Sequence, residues 1–108
     1  MEIRTKAFAV SIIRLSGTLP KTTESAVIRK QITKSGTSIG ANYREANRSR
    51  SKAEFKSKIR LCESEAAETL YWLDIAIDAL GIHKDTVSTI YNECKELLAI
   101  FTAAAKKL

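Results

Sequence analysis

Apolar residues recur along this chain at intervals of three and four, the period of amphipathic helices, and no alternating strand pattern lasts more than a few residues. A first helix is predicted over about 3–16, with Phe8, Ile12 and Leu15 in one stripe and Ile3, Ala7 and Val10 beside it. Gly17 and Pro20 supply its stop. A second helix is predicted over 23–48, capped by Thr22 or Thr23, with Ile28, Ile32, Ile39, Tyr43 and Ala46 as its core stripe. The third, over 52–80, opens on the Ser51 to Glu54 capping box and carries Phe55, Ile59, Cys62, Ala66, Leu70, Leu73, Ile77 and Leu80. Gly81 ends it, and a fourth helix over 86–106 follows with Val87, Ile90, Cys94, Leu97, Phe101 and Ala104. Short connections force neighbours antiparallel, which predicts an all-α, up-down-up-down four-helix bundle occupying residues 1–108 as one domain.

Residues 32–46 break this regularity. Ser35, Ser38, Asn42 and Glu45 recur at threes and fours and line one side of the second helix. Gly36, Gly40 and Ala41 strip bulk from the surface beside them. Two glycines inside a helix cost about 2 kcal/mol relative to alanine, so something must offset them. Close approach of another helix and a ligand at the polar row are the two candidates.

The third helix offers that row a partner. Leu61, Glu65, Glu68, Trp72 and Ala76 form a second stripe beside its apolar one. A buried carboxylate needs donors, so Glu65 or Glu68 is expected to hydrogen-bond near Ser38 and Asn42. A polar network that fixes helix register and a ligand or metal pocket both fit this pattern. Bundle di-metal sites use Glu-x-x-His elements, and none occurs; the single histidine, His83, falls in a loop.

Charge adds a second constellation. Residues 1–60 carry a net +10 and residues 61–108 a net −4, which together give the +6 of the whole chain. Lys30, Lys34, Arg44 and Arg48 share one face of the second helix, and Arg50, Lys52, Lys56 and Arg60 continue the charge into the third. Such a stripe suits phosphate-backbone binding, and it equally suits a solvated face. Tyr43 and Phe55, the aromatics of this region, fit core positions, so contact with nucleic acid is expected to be electrostatic rather than by base stacking.

At 108 residues the chain suits a modest core that oligomerisation would enlarge. No apolar run approaches the roughly 20 residues of a membrane span. The N-terminal residues lack a signal-peptide pattern, which predicts a cytoplasmic protein. Cys62 and Cys94 fall at apolar helix positions and read as buried thiols. Phosphate-cradling loops, nucleophile elbows and Ser-His-Asp sets are missing, so neither an enzyme nor a cofactor is expected.

Leu19-Pro20 followed by Glu24, then Gln31-Ile32, then the run Ser38 to Ala46, carries a resemblance. With Ser51, Glu54-Phe55, Glu65, Glu68, Trp72-Leu73 and Leu80-Gly81, it resembles the bacterial four-helix bundle proteins encoded in intervening sequences of 23S ribosomal RNA genes. The family motif reads more like Ser-Ile-x-x-Asn-Ile-x-Glu-Gly. Tyr43 here replaces the aliphatic residue and Ala46 the glycine, which places the turn after the second helix later. The resemblance implies a homopentamer around a central channel, without enzymatic activity. It extends to a similar protein, the accessory protein of diversity-generating retroelements, which binds nucleic acid and a reverse transcriptase. Ser38, Asn42, Glu45 and Glu68 match the family's polar motif, whose implied role is structural.

Three readings follow from the residues and the resemblance together. The first is a non-catalytic oligomer that binds RNA through its basic residues. The second is a protein-interaction scaffold, for example partnering a reverse transcriptase. The third is an enzyme or ligand-binding bundle built on Ser38, Asn42 and Glu68.

Overall fold

The computed structural model describes residues 1–108 as four antiparallel helices: α1 (Glu2–Thr18), α2 (Thr23–Ala46), α3 (Lys52–Leu80) and α4 (Lys84–Lys106). Each helix packs against its sequence neighbours, and α1 closes the circuit against α4, while the diagonal pairs do not touch. The result is an all-α four-helix bundle, a rod of 44 × 21 × 20 Å. No helix is long and apolar enough to cross a membrane.

The ends of the helices show local chemistry overriding the period. α1 runs through Gly17 and stops at Leu19, held extended (φ −71°, ψ 155°) by the proline that follows it. α2 ends at Ala46 rather than at 48. Arg48 and Ser49 continue as a tight turn, donating their N–H groups to Glu45 and Ala46. Asn47 leaves the helix in the right-handed region (φ −66°, ψ −12°), so this turn needs no glycine and starts two residues before the predicted end at 48. Ser51 accepts from Glu54 N–H at 3.0 Å, and Gly81 ends α3 in the left-handed region (φ 67°). α4 begins two residues before 86 because the His83 ring caps it, accepting from Asp85 N–H at 3.2 Å.

The core contains 18 buried apolar residues, among them Phe8, Ile12, Ile32, Ile39, Leu73, Leu97 and Phe101. Tyr43 packs half-buried on its edge, its ring centroid 5.8 Å from that of Phe101. Ile3, expected beside the α1 stripe, is instead 87% exposed, because it lies on the side of α1 opposite Phe8 and Ile12.

The two helical glycines are explained by helix approach. A Cβ on Gly36 would stand 2.8 Å from Ile12 Cγ2, and one on Gly40 would stand 3.0 Å from Thr5 Oγ1. Both contacts belong to α1. The glycines are the seam along which α1 reaches α2.

Candidate nucleic-acid interface

The α2–α3 turn sits at one end of the rod, beside the last turn of α4. Arg48 and Arg50 come from the turn, and Lys52 and Lys56 from the first turns of α3. Lys52 and Lys56 share a groove of about 440 Å³ with Lys107 and Leu108. A neighbouring groove of about 380 Å³ runs past Asn47, Ser49, Arg50, Lys52 and Phe55 to Leu108. Lys106 and Lys107 lie outside the basic stripe that the sequence pattern picks out. Their position in the acidic half conceals them, and only the antiparallel pairing of α3 with α4 brings Lys107 beside Lys52, with Lys106 its neighbour in the chain. That pairing follows from the short connections, so the signal is present in the sequence.

Carboxylates at this end are already engaged. Glu2 accepts from Asn47 at 2.8 Å and pairs with Arg44 at 3.6 Å. Glu45 pairs with Lys58 at 3.4 Å, and Glu54 accepts from Arg50 N–H at 3.2 Å. The side chains of Arg48, Arg50, Lys52, Lys56, Lys106 and Lys107 have no carboxylate within ion-pair distance. Arg60 continues this line along α3, exposed, two turns from Lys52.

Lys30 and Lys34 stand apart. Lys34 is 14 residues before Arg48 on α2, about 20 Å away along the axis. It leans toward Glu65 of α3, whose carboxyl feels its charge. The eight basic residues of the sequence stripe therefore divide into a cluster at the end of the rod, a partly neutralised Arg44, and a separate pair on the shaft.

The polar row of α2 does not form a pocket. Ser35 and Thr69 join their hydroxyls across the α2–α3 interface at 2.9 Å, both fully buried. Ser38 donates to Lys34 O at 2.6 Å, and Asn42 donates to Ser38 O at 2.9 Å, so both side chains bond to their own helix. Glu45 turns outward to Lys58. Glu68 accepts from the Trp72 indole at 3.4 Å rather than reaching α2. Glu65 lies beside Ser38. Burial, then the Glu68 charge, raises its carboxyl above the ordinary range, while Lys34 and Ser38 temper the rise. Of the expected carboxylate network the approach of Glu65 to Ser38 forms, while Glu68 and Asn42 stay out of it, and a buried hydroxyl pair joins the helices below, because Thr69 is the α3 residue turned inward at that level. Its place inside the apolar period of α3 is the signal that could have found it.

The remaining reactive groups are used structurally. Burial pushes both cysteine thiols up to about 12, and their Sγ atoms contact Ile39 O and Ala66 O. No three His, Cys, Asp or Glu side chains converge as a metal shell requires.

Set beside known proteins, the chain matches the 23S rRNA-intervening sequence protein family over residues 3–103. It is also similar to a solved structure from Bacteroides thetaiotaomicron, a protein of unknown function from the S23 ribosomal protein family. The two share 36% identity over 97% of each chain, with a TM-score of 0.89. No curated protein matches it.

Proposed function

The chain belongs to the 23S rRNA-intervening sequence protein family, and on that footing we propose that it is a non-enzymatic, oligomeric, RNA-binding bundle. One observation carries the reading: cations from the α2–α3 turn, the start of α3 and the end of α4 gather at one end of the rod without carboxylate partners. Arginine forks and lysine ammoniums suit phosphate oxygens, and a cluster of them binds by releasing counterions. The aromatics nearby, Tyr43, Phe55 and Phe101, pack in or on the core, so the surface holds backbone rather than stacked bases. Absence of catalysis is supported by where the nucleophiles and the base are used. His83 caps α4, and the two thiols stay protonated at neutral pH. Two buried, unpaired cysteines suit the cytoplasm.

Assembly belongs to the same reading. The pentamer implied by the family resemblance would present five basic ends together, and their combined hold on one RNA would exceed that of any single end. The test is retention of a structured RNA across a salt series. Changing Arg44, Arg48, Arg50 and Lys56 to Glu is expected to abolish retention at moderate salt. Unchanged retention rejects the reading, and capture of a protein partner that survives nuclease replaces it with the scaffold.

A further inference from the structure

The end of the rod away from the basic cluster carries the opposite charge. Where α3 finishes and α4 begins, the two helices leave a groove of about 350 Å³ between them. Asp74 and Asp78 stand on its α3 side, at least about 33 Å along the helix from Lys52. Both are exposed, and neither has a cation within ion-pair distance. Lys84 lines the same groove and pairs with neither of them. One helical turn separates the two aspartates, which sets their Cβ atoms about 5–6 Å apart on one face.

The groove also has an apolar floor, made by buried Val87 with half-buried Ile77 and Tyr91. The Tyr91 hydroxyl stands at the Asp74 carboxylate, and that contact, then burial, raises it above the ordinary phenol range; the Asp78 charge adds to the rise. A carboxylate accepts about four hydrogen bonds, so Asp74 keeps free acceptors beyond the one Tyr91 uses. No third carboxylate, histidine or thiol joins the pair, so a divalent cation would lack its oxygen shell. An ammonium is a point charge that one carboxylate satisfies. A guanidinium is a planar fork of donors that can engage two neighbouring carboxylates at once. Its methylene stem suits the Ile77 and Val87 floor, and its plane suits the Tyr91 ring.

We propose that this groove receives an arginine side chain from a basic segment of a partner protein. Asp74 and Asp78 hold the guanidinium, and Ile77, Val87 and Tyr91 cover its stem. Charge complementarity selects the occupant: the carboxylates lack a cation of their own, and the same carboxylates repel the phosphates of a nucleic acid. Lys84 at the groove opposes an incoming cation and so limits its affinity. The site lies at the other end of the rod from the basic cluster, so a basic segment and an RNA do not compete for it. The inference does not rest on the RNA reading, and its test uses no RNA.

The experiment titrates the full, isotope-labelled chain with a capped Gly-Ser-Arg-Ser-Gly peptide and follows backbone amides by NMR. Saturable shifts are expected around Asp74, Asp78, Val87 and Tyr91, and none at Arg48 to Lys56. The same peptide with citrulline, which keeps the shape of arginine and loses its charge, should leave the spectrum unmoved. The lysine version should bind more weakly. A D74N/D78N variant, altered only at exposed positions and nearly isosteric, should lose the saturable shifts. K84A should bind the arginine peptide more tightly than wild type. Shifts that do not saturate or that spread over the whole surface would overturn the inference. So would equal binding of the lysine peptide or of spermidine, or saturable binding retained by D74N/D78N. Shifts at these residues that grow with protein concentration before peptide is added would also overturn it, since a second copy would then fill the groove.

Discussion

Ile12 of α1 occupies the space that a side chain at position 36 of α2 would fill. Its Cγ2 and Cγ1 atoms would stand 2.8 and 2.9 Å from a Cβ there, and Ile12 is fully buried. Gly36→Ala therefore gains about 1 kcal/mol of helix propensity but incurs an overpacking cost of about 1–3 kcal/mol. A net loss is expected in urea unfolding. Gly17 is the control: it lies in a helix with open space around it, so Gly17→Ala should stabilise by about 0.4–1 kcal/mol. Equal responses at both positions would remove the glycine-seam explanation.

The buried hydroxyl pair makes a second prediction. Ser35→Ala alone or Thr69→Val alone leaves a buried hydroxyl with a weakened partner set, at a cost of about 1–3 kcal/mol. The double variant should lose much less than the two singles together, because neither hydroxyl is then stranded. Strict additivity in a double-mutant cycle would show that the pair is not coupled.

A third concerns acid. Arg4 donates two hydrogen bonds of 2.7 Å to Glu93, and those bonds hold the Glu93 carboxyl below its ordinary value. A depressed folded pKa contributes stability that is present above the unfolded value, near 4.5, and is lost as pH falls through the folded value. Both side chains are about a third exposed, so the pair is worth about 1 kcal/mol. Arg4→Gln should lower stability at pH 7, and the gap to wild type should narrow below the ordinary carboxylate range. A gap that is constant with pH would mean the pair contributes through packing alone.

Position at the end of the rod, rather than charge alone, should govern RNA retention. Lys106→Glu with Lys107→Glu should weaken it about as much as Lys52→Glu with Lys56→Glu, since the two pairs flank one end. Lys30→Glu with Lys34→Glu, on the shaft, should change it less. The slope of log affinity against log salt should become shallower by about 0.7–0.9 for each phosphate that a variant no longer neutralises. Equal effects from all three pairs would indicate a diffuse field and no localised surface.

Much of this architecture is legible in the chain because helix period and caps are local. Ile32, Ile39 and Leu73 announce their faces, and Ser51 with Glu54 announces the start of α3. What a helix meets across the bundle is not local. Gly36 and Gly40 declare a bare face without saying that Ile12 and Thr5 fill it. The polar row suggests a bond to Glu65 or Glu68, and Glu65 does stand at Ser38, yet Asn42 bonds only to its own helix and Thr69 takes the inward position. Counting charge along the chain obscures Lys106 and Lys107, whereas antiparallel folding sums it by end. His83 reads as a loop residue in the sequence because an imidazole is an uncommon helix cap.

The up-down topology also fixes where the field at the basic end comes from. Two helices begin there and two finish there, so their macrodipoles largely offset. The potential is then set by side chains such as Arg48, Lys52, Lys56 and Lys107, none of which is in the core. Recharging that end requires no refolding. Selection can therefore retune what the protein grips, residue by residue, while the packed interior keeps its own constraints.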